Sequence, residues 1–410
     1  MLIKDRLVNL TENITDGEHS SVKNKKGSNY YLLSNKNIVS EKIQITEKDR
    51  EISKESFLKI RNRTKLEEND IVIGTVGTLG NSAIIEECPE NFDFQRSVGI
   101  IKCNKKLINP RYLFYFFQLN HFKKQLNDRK NITTQGGLYI SDLRQLEIDY
   151  FEDLSYQEKI SDFFYNIDRK IELNKKINIS LEKMAKQIYD YWFVQYNFPN
   201  YKNKPYKSSG GEMIWSEELK KEIPKNWKVV QLKDLAVLNK RKFEDNEKYL
   251  DMIALEAMPS SSMCIDNKIS SSKYKSNLYY LDKYDILFGE IRPYLKKAGL
   301  APFAGVVSGS VQSYKPKKQE DYYFLLLTFT HESVFKYAIS GSGGKTRTPS
   351  IDSIDLLKYK IAYNEETASK LNNLLDFKEL IAENINENHK LTELKEFLLP
   401  LIMNGQIFIN

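Results

Sequence analysis

Glu68–Ile85 (ENDIVIGTVGTLGNSAII) and Lys283–Leu300 (KYDILFGEIRPYLKKAGL) read as one stretch written twice. Asp70 and Gly74 of the first fall on Asp285 and Gly289 of the second, each aspartate leading an apolar run that stops at its glycine. The correspondence continues downstream. Gly136-Gly137, Asp142-Leu143 and Ile148 are echoed by Gly343-Gly344, Asp355-Leu356 and Ile361, at an offset of about 207 to 215 residues. Solenoid repeats have periods of roughly 20 to 50 residues, so this spacing means a tandem duplication of a whole domain.

Working outward, each copy opens with short β-like segments broken by Gly, Asn and Pro, with helices such as Pro110 to Asn120 between them, which predicts a mixed α/β domain. Each copy closes in a long helical pattern, Gln157 to Phe193 and Glu366 to about Asn404. In the first, Ile160, Phe164, Ile167, Ile171, Asn174, Asn178, Leu181, Ala185, Ile188 and Trp192 advance in steps of three and four, the spacing of a coiled-coil seam. Leu374, Phe377, Ile381, Asn384, Asn388, Leu391, Leu394 and Leu398 repeat it about 210 residues on, with Lys370 and Lys395 interrupting. An exposed seam of this length needs a partner, so the two helices are expected to pack on each other as a spacer about 55 Å long. Asn174 and Asn384 hold equivalent positions; they either pair across the interface or lie at its solvated edge.

The expected fold is therefore α+β: two mixed domains in pseudo-twofold tandem repeat, separated by two long helices forming an antiparallel coiled coil. The boundaries read as a first domain at 1–153, a first helix at 154–196, a linker at 197–222, a second domain at 223–365 and a second helix at 366–410. Tyr201–Lys207 (YKNKPYK) reads as a solvated stretch whose aromatics pack beside the helix end, with phosphate contact as the other reading.

A chain of 410 residues exceeds one hydrophobic core, in keeping with two domains. The excess of 62 basic over 55 acidic residues favours a polyanionic partner without requiring one. Three scattered cysteines, Cys88, Cys103 and Cys264, argue against a disulfide framework and for a reducing compartment, the cytoplasm. The opening lacks a signal-peptide run, and the longest apolar stretch, Tyr322 to Phe329, is too short to span a bilayer.

Enzyme readings find little to stand on. Asn109-Pro110-Arg111-Tyr112 approaches the Asn-Pro-Pro-Tyr motif that grips a flipped adenine, but its third position is wrong, and a helix cap explains Asn109 and Pro110. Gly343-Gly344-Lys345-Thr346 ends like a phosphate-binding loop, yet Ile339 stands where that loop needs glycine. His19, His121, His331 and His389 are far apart and form no metal-ligand spacing. A coiled-coil interaction protein without a DNA role would account for the helices but not for the duplicated domains.

Tyr189–Trp227 (YDYWFVQYNFPNYKNKPYKSSGGEMIWSEELKKEIPKNW) resembles the central region of the specificity subunits of type I restriction-modification enzymes. The shared features are a helix ending in aromatics, a Phe-Pro linker, a Ser-Gly-Gly turn and an Ile-Pro-x-x-Trp lead into the second domain. Leu394–Ile407 (LKEFLLPLIMNGQI) resembles the end of that family's second helix, and Ile14–His19 (ITDGEH) a turn early in its recognition domains. One departure is that no counterpart of Ile223–Trp227 precedes Leu2–Leu10. The resemblance implies two target recognition domains, each reading a few base pairs, on helices that act as a ruler. It also implies two methyltransferase subunits and restriction subunits as partners. The partners would carry the S-adenosylmethionine and ATP, and this chain would hold no cofactor. Leu181, Met184, Ile188, Leu394 and Leu398 are the expected docking residues.

Base reading needs hydrogen-bonding side chains on loops held by a rigid frame. The loop Gly74–Asn81 offers Thr75, Thr78 and Asn81, and its second copy Gly289–Lys297 offers Arg292, Tyr294, Lys296 and Lys297. The other repeated loop, Asn131–Tyr139, offers Thr133, Thr134 and Gln135, and its second copy Ser340–Thr348 offers Lys345 and Arg347. Ordinary turns explain the same glycines, and the lysines would contact phosphates more than bases.

Overall fold

The computed structural model describes residues 1–130, 137–244, 250–274, 277–342 and 348–409, and its contacts divide into two units, Met1–Arg169 with Leu391–Asn410, and Lys170–Lys390.

In the first unit the strands Thr11–Asp16, Val98–Cys103, Ile71–Gly74 and Ser82–Ile84 form an antiparallel sheet in that order. Ile71, Val72 and Ile73 are wholly buried, and β-branched side chains suit a strand covered on both faces. The strand's last residue is Gly74, where any side chain would clash, since a Cβ there would lie 2.0 Å from Asn35 Oδ1. Tyr31–Leu33 runs parallel to Phe92–Phe94, and Leu2–Arg6 pairs antiparallel with Glu147–Phe151, so the two ends of the first mixed domain join in one small sheet. The helices Pro110–Phe116 and Asn120–Lys130 complete the domain.

The second unit repeats this plan. Ala236–Asn239, Val311–Pro316, Ile286–Gly289 and Ala298–Leu300 form the antiparallel sheet in the same order. Lys228–Gln231 pairs with Lys360–Tyr363, and Asp251–Ile253 runs parallel to Gly305–Ser308. The sheet containing that parallel pair has four strands here against two in the first unit. The repeated aspartates are turn-formers. Asp70 accepts from Glu67 N at 2.9 Å and Asp285 from Asp282 N at 3.1 Å, one turn before the shared strand. Both are buried, which pushes their carboxyl pKa values up, and each is compensated, Asp70 by Lys102 at 2.7 Å and Asp285 by Ser313 at 2.6 Å.

The first long helix runs Leu154–Tyr189 and ends in a π-helical turn, Asp190–Val194. The second pattern, expected to be continuous from Glu366, is two helices, Glu365–Leu374 and Lys378–Met403. The break has a local cause: the Tyr323 hydroxyl accepts from the backbone amides of Phe377 and Lys378 at 2.7 and 2.6 Å, capping the start of the second piece. Leu374 consequently leaves the seam and is exposed.

Within the second unit the helices run antiparallel, and four asparagines fill the seam. Asn174 does not pair with Asn384. Instead Asn174 Nδ2 donates to Asn388 Oδ1 at 2.9 Å, and Asn384 Nδ2 donates to Asn178 Oδ1 at 2.8 Å. The remaining amide hydrogens of Asn388 and Asn178 go to the carbonyls of Ile171 and Ile381, both at 3.3 Å. All four side chains are buried, which excludes the solvated-edge reading. Within the first unit, Lys395 does not break the seam. It is buried there, its ammonium 2.8 and 3.0 Å from the two oxygens of Asp168 and 3.2 Å from Glu41, while Tyr115 donates to Asp168 at 2.8 Å. Lys370 lies outside the seam, paired with Glu366 at 2.7 Å.

Candidate nucleic-acid interface

In each unit the loop leaving the shared strand is held by its neighbours through the same set of backbone bonds. In the first, Gly74 N donates to Asn81 O at 2.7 Å, Thr75 N to Ser97 O at 3.0 Å, and Leu138 N to Thr75 O at 2.8 Å. In the second, Gly289 N donates to Lys297 O at 2.8 Å, Glu290 N to Ser310 O at 3.0 Å, and Ile351 N to Glu290 O at 3.1 Å. A rigid frame thus presents equivalent loops at equivalent strand ends, the arrangement recognition by side chains requires.

The side chains differ. In the first unit Thr75 is buried, which takes its hydroxyl out of reach of a duplex and removes it from the candidates. Thr78 is exposed, and Asn81 is half-buried with its Nδ2 3.3 Å from Ile38 O. The loop is clamped by Asn35, whose buried amide donates to the carbonyls of Val76 at 2.8 Å and Thr78 at 2.7 Å. Asn35, Thr78 and Asn81 line a cleft with Ser34, Lys36, Gln95 and Ser97, its apolar part supplied by Ile38, Val39 and Val76. Neither the Ser34–Lys36 turn nor Gln95 was singled out from sequence, because each lies far along the chain from the glycine loop and carries no motif. Lys36 faces Asp49 at 3.0 Å.

In the second unit Arg292 and Tyr294 are exposed, and among the described residues the Arg292 side chain has no hydrogen bond or ion pair. Arg292 and Lys296 flank the turn Pro293–Leu295 with φ of 53° and 51°, and the bond from Arg292 N to Pro349 O at 2.7 Å holds that uncommon backbone in place. Lys296 is paired with Glu332 at 2.7 Å, and Lys297 donates to Leu255 O at 2.7 Å, so both lysines are already engaged. Thr133, Thr134, Gln135, Lys345 and Arg347 lie outside the described residues.

Beside the Lys296–Glu332 pair, His331 caps the helix Glu332–Gly341. Its Nδ1 accepts from Ser333 N at 3.2 Å, and its Nε2 lies 3.3 Å from Asp190. Burial pushes the imidazole pKa below its ordinary 6.5, with Asp190 and Glu332 opposing.

Of the expected docking residues, Met184 and Leu394 are exposed on their helices, while Leu181, Ile188 and Leu398 are half-buried. Met184 and Leu394, like Ile188 and Leu398, stand 210 residues apart. Phe397, 65% exposed, is the more prominent apolar group of the second helix and was passed over because it falls outside the seam spacing. In the linker region Tyr206 stacks on Phe198 and Phe198 packs on Trp227, whereas Tyr201 is exposed.

The enzyme-like motif is a cap, as its local chemistry predicts. Asn109 Oδ1 accepts from Arg111 N and Tyr112 N at 2.9 and 3.1 Å, and Arg111 forks onto Glu86 at 2.9 and 3.0 Å. Among the described residues no cluster of His, Cys, Asp and Glu could hold a metal ion, and no helix is long and apolar enough to cross a membrane.

A family model described as the type I restriction modification DNA specificity domain matches residues 14–183 and again 224–388. The chain belongs to that family. The double match is the duplication seen in the two sheets, and it makes the chain a specificity subunit of a type I restriction-modification system. The specificity subunit of the type I restriction enzyme MjaIX from Methanocaldococcus jannaschii is 27% identical over 319 residues, covering 72% of this chain and 68% of its own length. The HindI specificity subunit from Haemophilus influenzae is 21% identical over 395 residues, covering 80% of this chain and 84% of its own. The crystal structure of a type I S subunit from M. genitalium shares the fold, with a TM-score of 0.56 at 14% identity over 97% of this chain and 95% of that one.

Proposed function

We propose that this specificity subunit is a non-catalytic reader of double-stranded DNA that binds an asymmetric, interrupted site and positions two methyltransferase subunits on it. The observation that supports this is the pairing of an equivalent frame with unlike loops: Thr78 and Asn81 in one recognition domain, Arg292 and Tyr294 in the other. Identical readers would favour a palindrome, and unlike readers favour two different half-sites. The spacer between the half-sites follows from the paired helices, whose first member, at 36 residues, spans about 54 Å.

The exposed apolar residues at equivalent helix positions, Met184 in one unit and Leu394 with Phe397 in the other, give each half a surface for one methyltransferase subunit. Restriction subunits complete the enzyme in the same cytoplasmic assembly, and S-adenosylmethionine and ATP belong to the partners. Adenine methylation at the recognised site then depends on where this chain places its partners.

The purified chain tests this. Alone it should bind duplex DNA with an affinity that falls steeply as salt rises, and should transfer no methyl group. Methyl transfer should appear on adding the methyltransferase subunit. Methylation by the isolated chain, or no DNA-dependent activity after reconstitution, would overturn the reading.

A further inference from the structure

We propose that Gln95 is a base-reading residue of the first recognition domain and that the base it reads is adenine. This rests on the DNA-reading role proposed above and goes beyond it by naming the residue and the base.

Gln95 follows the strand Phe92–Phe94, whose last two residues are buried, and opens onto the cleft between the Ser34–Lys36 turn and the Gly74–Asn81 loop. Its backbone is fixed from several sides. Gln95 N donates to Leu33 O at 2.9 Å, Val98 N donates to Gln95 O at 3.0 Å, and the next amide, Arg96 N, donates to Glu18 O at 3.0 Å. Behind it, Gly17 approaches Phe94 so closely that a Cβ would lie 2.1 Å from the Phe94 carbonyl oxygen. The half-buried side chain is thus carried on a rigid mount, yet among the described residues its amide makes no hydrogen bond.

The nitrogens of the other long polar groups of the cleft are engaged, while Asn35 Oδ1 is buried without a partner among the described residues. Asn35 clamps the loop, Asn81 leans on the Ile38 carbonyl and Lys36 faces Asp49. A fixed, uncommitted amide at an open cleft is set up for a partner from outside.

The second domain lacks this group. Ser97 O and Ser310 O accept the equivalent bonds from Thr75 and Glu290, which places Gln95 opposite Ser308. Ser308 is short, and its hydroxyl lies 3.0 Å from that of Ser310. A residue needed only to build the fold would be needed in both copies, whereas one that reads a base need stand only in the domain that meets that base.

The amide has a donor and an acceptor side by side. Adenine presents an acceptor, N7, next to a donor, N6, and complements both. Guanine offers two acceptors in the same place, so the amide oxygen would face O6. Thymine offers one acceptor and a methyl. Cytosine offers a donor that a carboxylate would serve better, and among the described residues no Asp or Glu lines the cleft.

The full chain assembled with its methyltransferase subunits is presented with a randomised duplex library, and the bound sequences are read out for wild type, Gln95→Ala and Gln95→Glu. Discrimination for A·T at one position of one half-site should fall by roughly 10- to 100-fold in Gln95→Ala, with the other half-site unchanged. Gln95→Glu keeps the volume and removes the donor, so that position should shift towards C·G at an unaltered melting temperature. A wild-type bipartite motif left intact by both variants would overturn the role of Gln95 alone, as would a loss spread evenly over both half-sites. A wild-type assembly that selects no bipartite motif would sink the underlying reading as well.

Discussion

Asn384 and Asn178 share a buried hydrogen bond, Nδ2 of Asn384 donating to Oδ1 of Asn178 at 2.8 Å, and Asn174 repeats it with Asn388 210 residues away in each partner. Each of the four amides donates to a named acceptor, Asn174 to Glu387 as well as to Asn388. Sliding one helix by a turn would bury these groups unpaired, so they penalise other registers more than they stabilise this one.

Asn384→Leu alone should destabilise the second unit by about 1–3 kcal/mol, because Asn178 is left buried without its partner. Adding Asn178→Leu should recover most of that loss, since removing both partners leaves no orphan. Urea unfolding of the two variants checks this; a double variant no better than the single would show that the pair contributes more than mutual satisfaction.

Lys395→Met should loosen the first unit. The Lys395 ammonium faces Asp168 and Glu41, and without it Asp168 keeps, among the described residues, the Tyr115 hydroxyl. Breaking a buried pair costs about 3–5 kcal/mol, and Asp168, a third exposed, should lose less than that. Because Leu391–Asn410 belongs to this unit, limited proteolysis should release the C-terminal segment sooner. Equal protection of variant and wild type would mean that apolar contacts alone hold the segment.

Acidification should weaken the second unit through His331. Its pKa is lowered in the folded state, so below the ordinary 6.5 the unfolded chain takes up a proton that the folded chain resists, and stability falls as pH drops through that window. Protonation of Nδ1 would also end its acceptance from Ser333 N. Asp70 and Asp285, with raised pKa values, act with the opposite sign, their contribution being lost as pH rises, so the comparison is made against His331→Asn, which retains a capping oxygen. The variant should lose less of its melting temperature between pH 7 and 5.5 than wild type; identical losses would clear His331 of the effect.

Arg292→Ala and Lys296→Ala should differ. Arg292 is exposed and unengaged among the described residues, and its removal should weaken binding mainly at the half-site read by the second domain, by about 1–3 kcal/mol. Lys296 is already paired with Glu332, so its removal should matter less. Filter-binding titrations with matched and scrambled duplexes separate the two, and equal loss on scrambled DNA would make Arg292 a phosphate contact.

The duplication, the strands and the paired helices were legible because they rest on local pattern: apolar runs closed at Gly74 and Gly289, and a seam spacing from Ile160 onward. The register between the helices was not. Equivalent positions suggested Asn174 with Asn384, but in an antiparallel pair the order of one helix is reversed against the other, so Asn174 meets Asn388 and Asn178 meets Asn384. The helix break was missed because its cause, the Tyr323 hydroxyl, lies 54 residues from Phe377. Thr75 looked available within its loop and is buried by the fold, while Gln95 and Asn35 carry no sequence signal and line one cleft only when the fold brings their turns together.

The central claim is that unlike readers on one subunit define a two-part target. Mapping methylated adenines in genomes with and without the gene for this chain tests it most directly. An asymmetric motif of two short halves around an unread gap should disappear with the gene; a methylation pattern that survives the deletion unchanged would contradict the account.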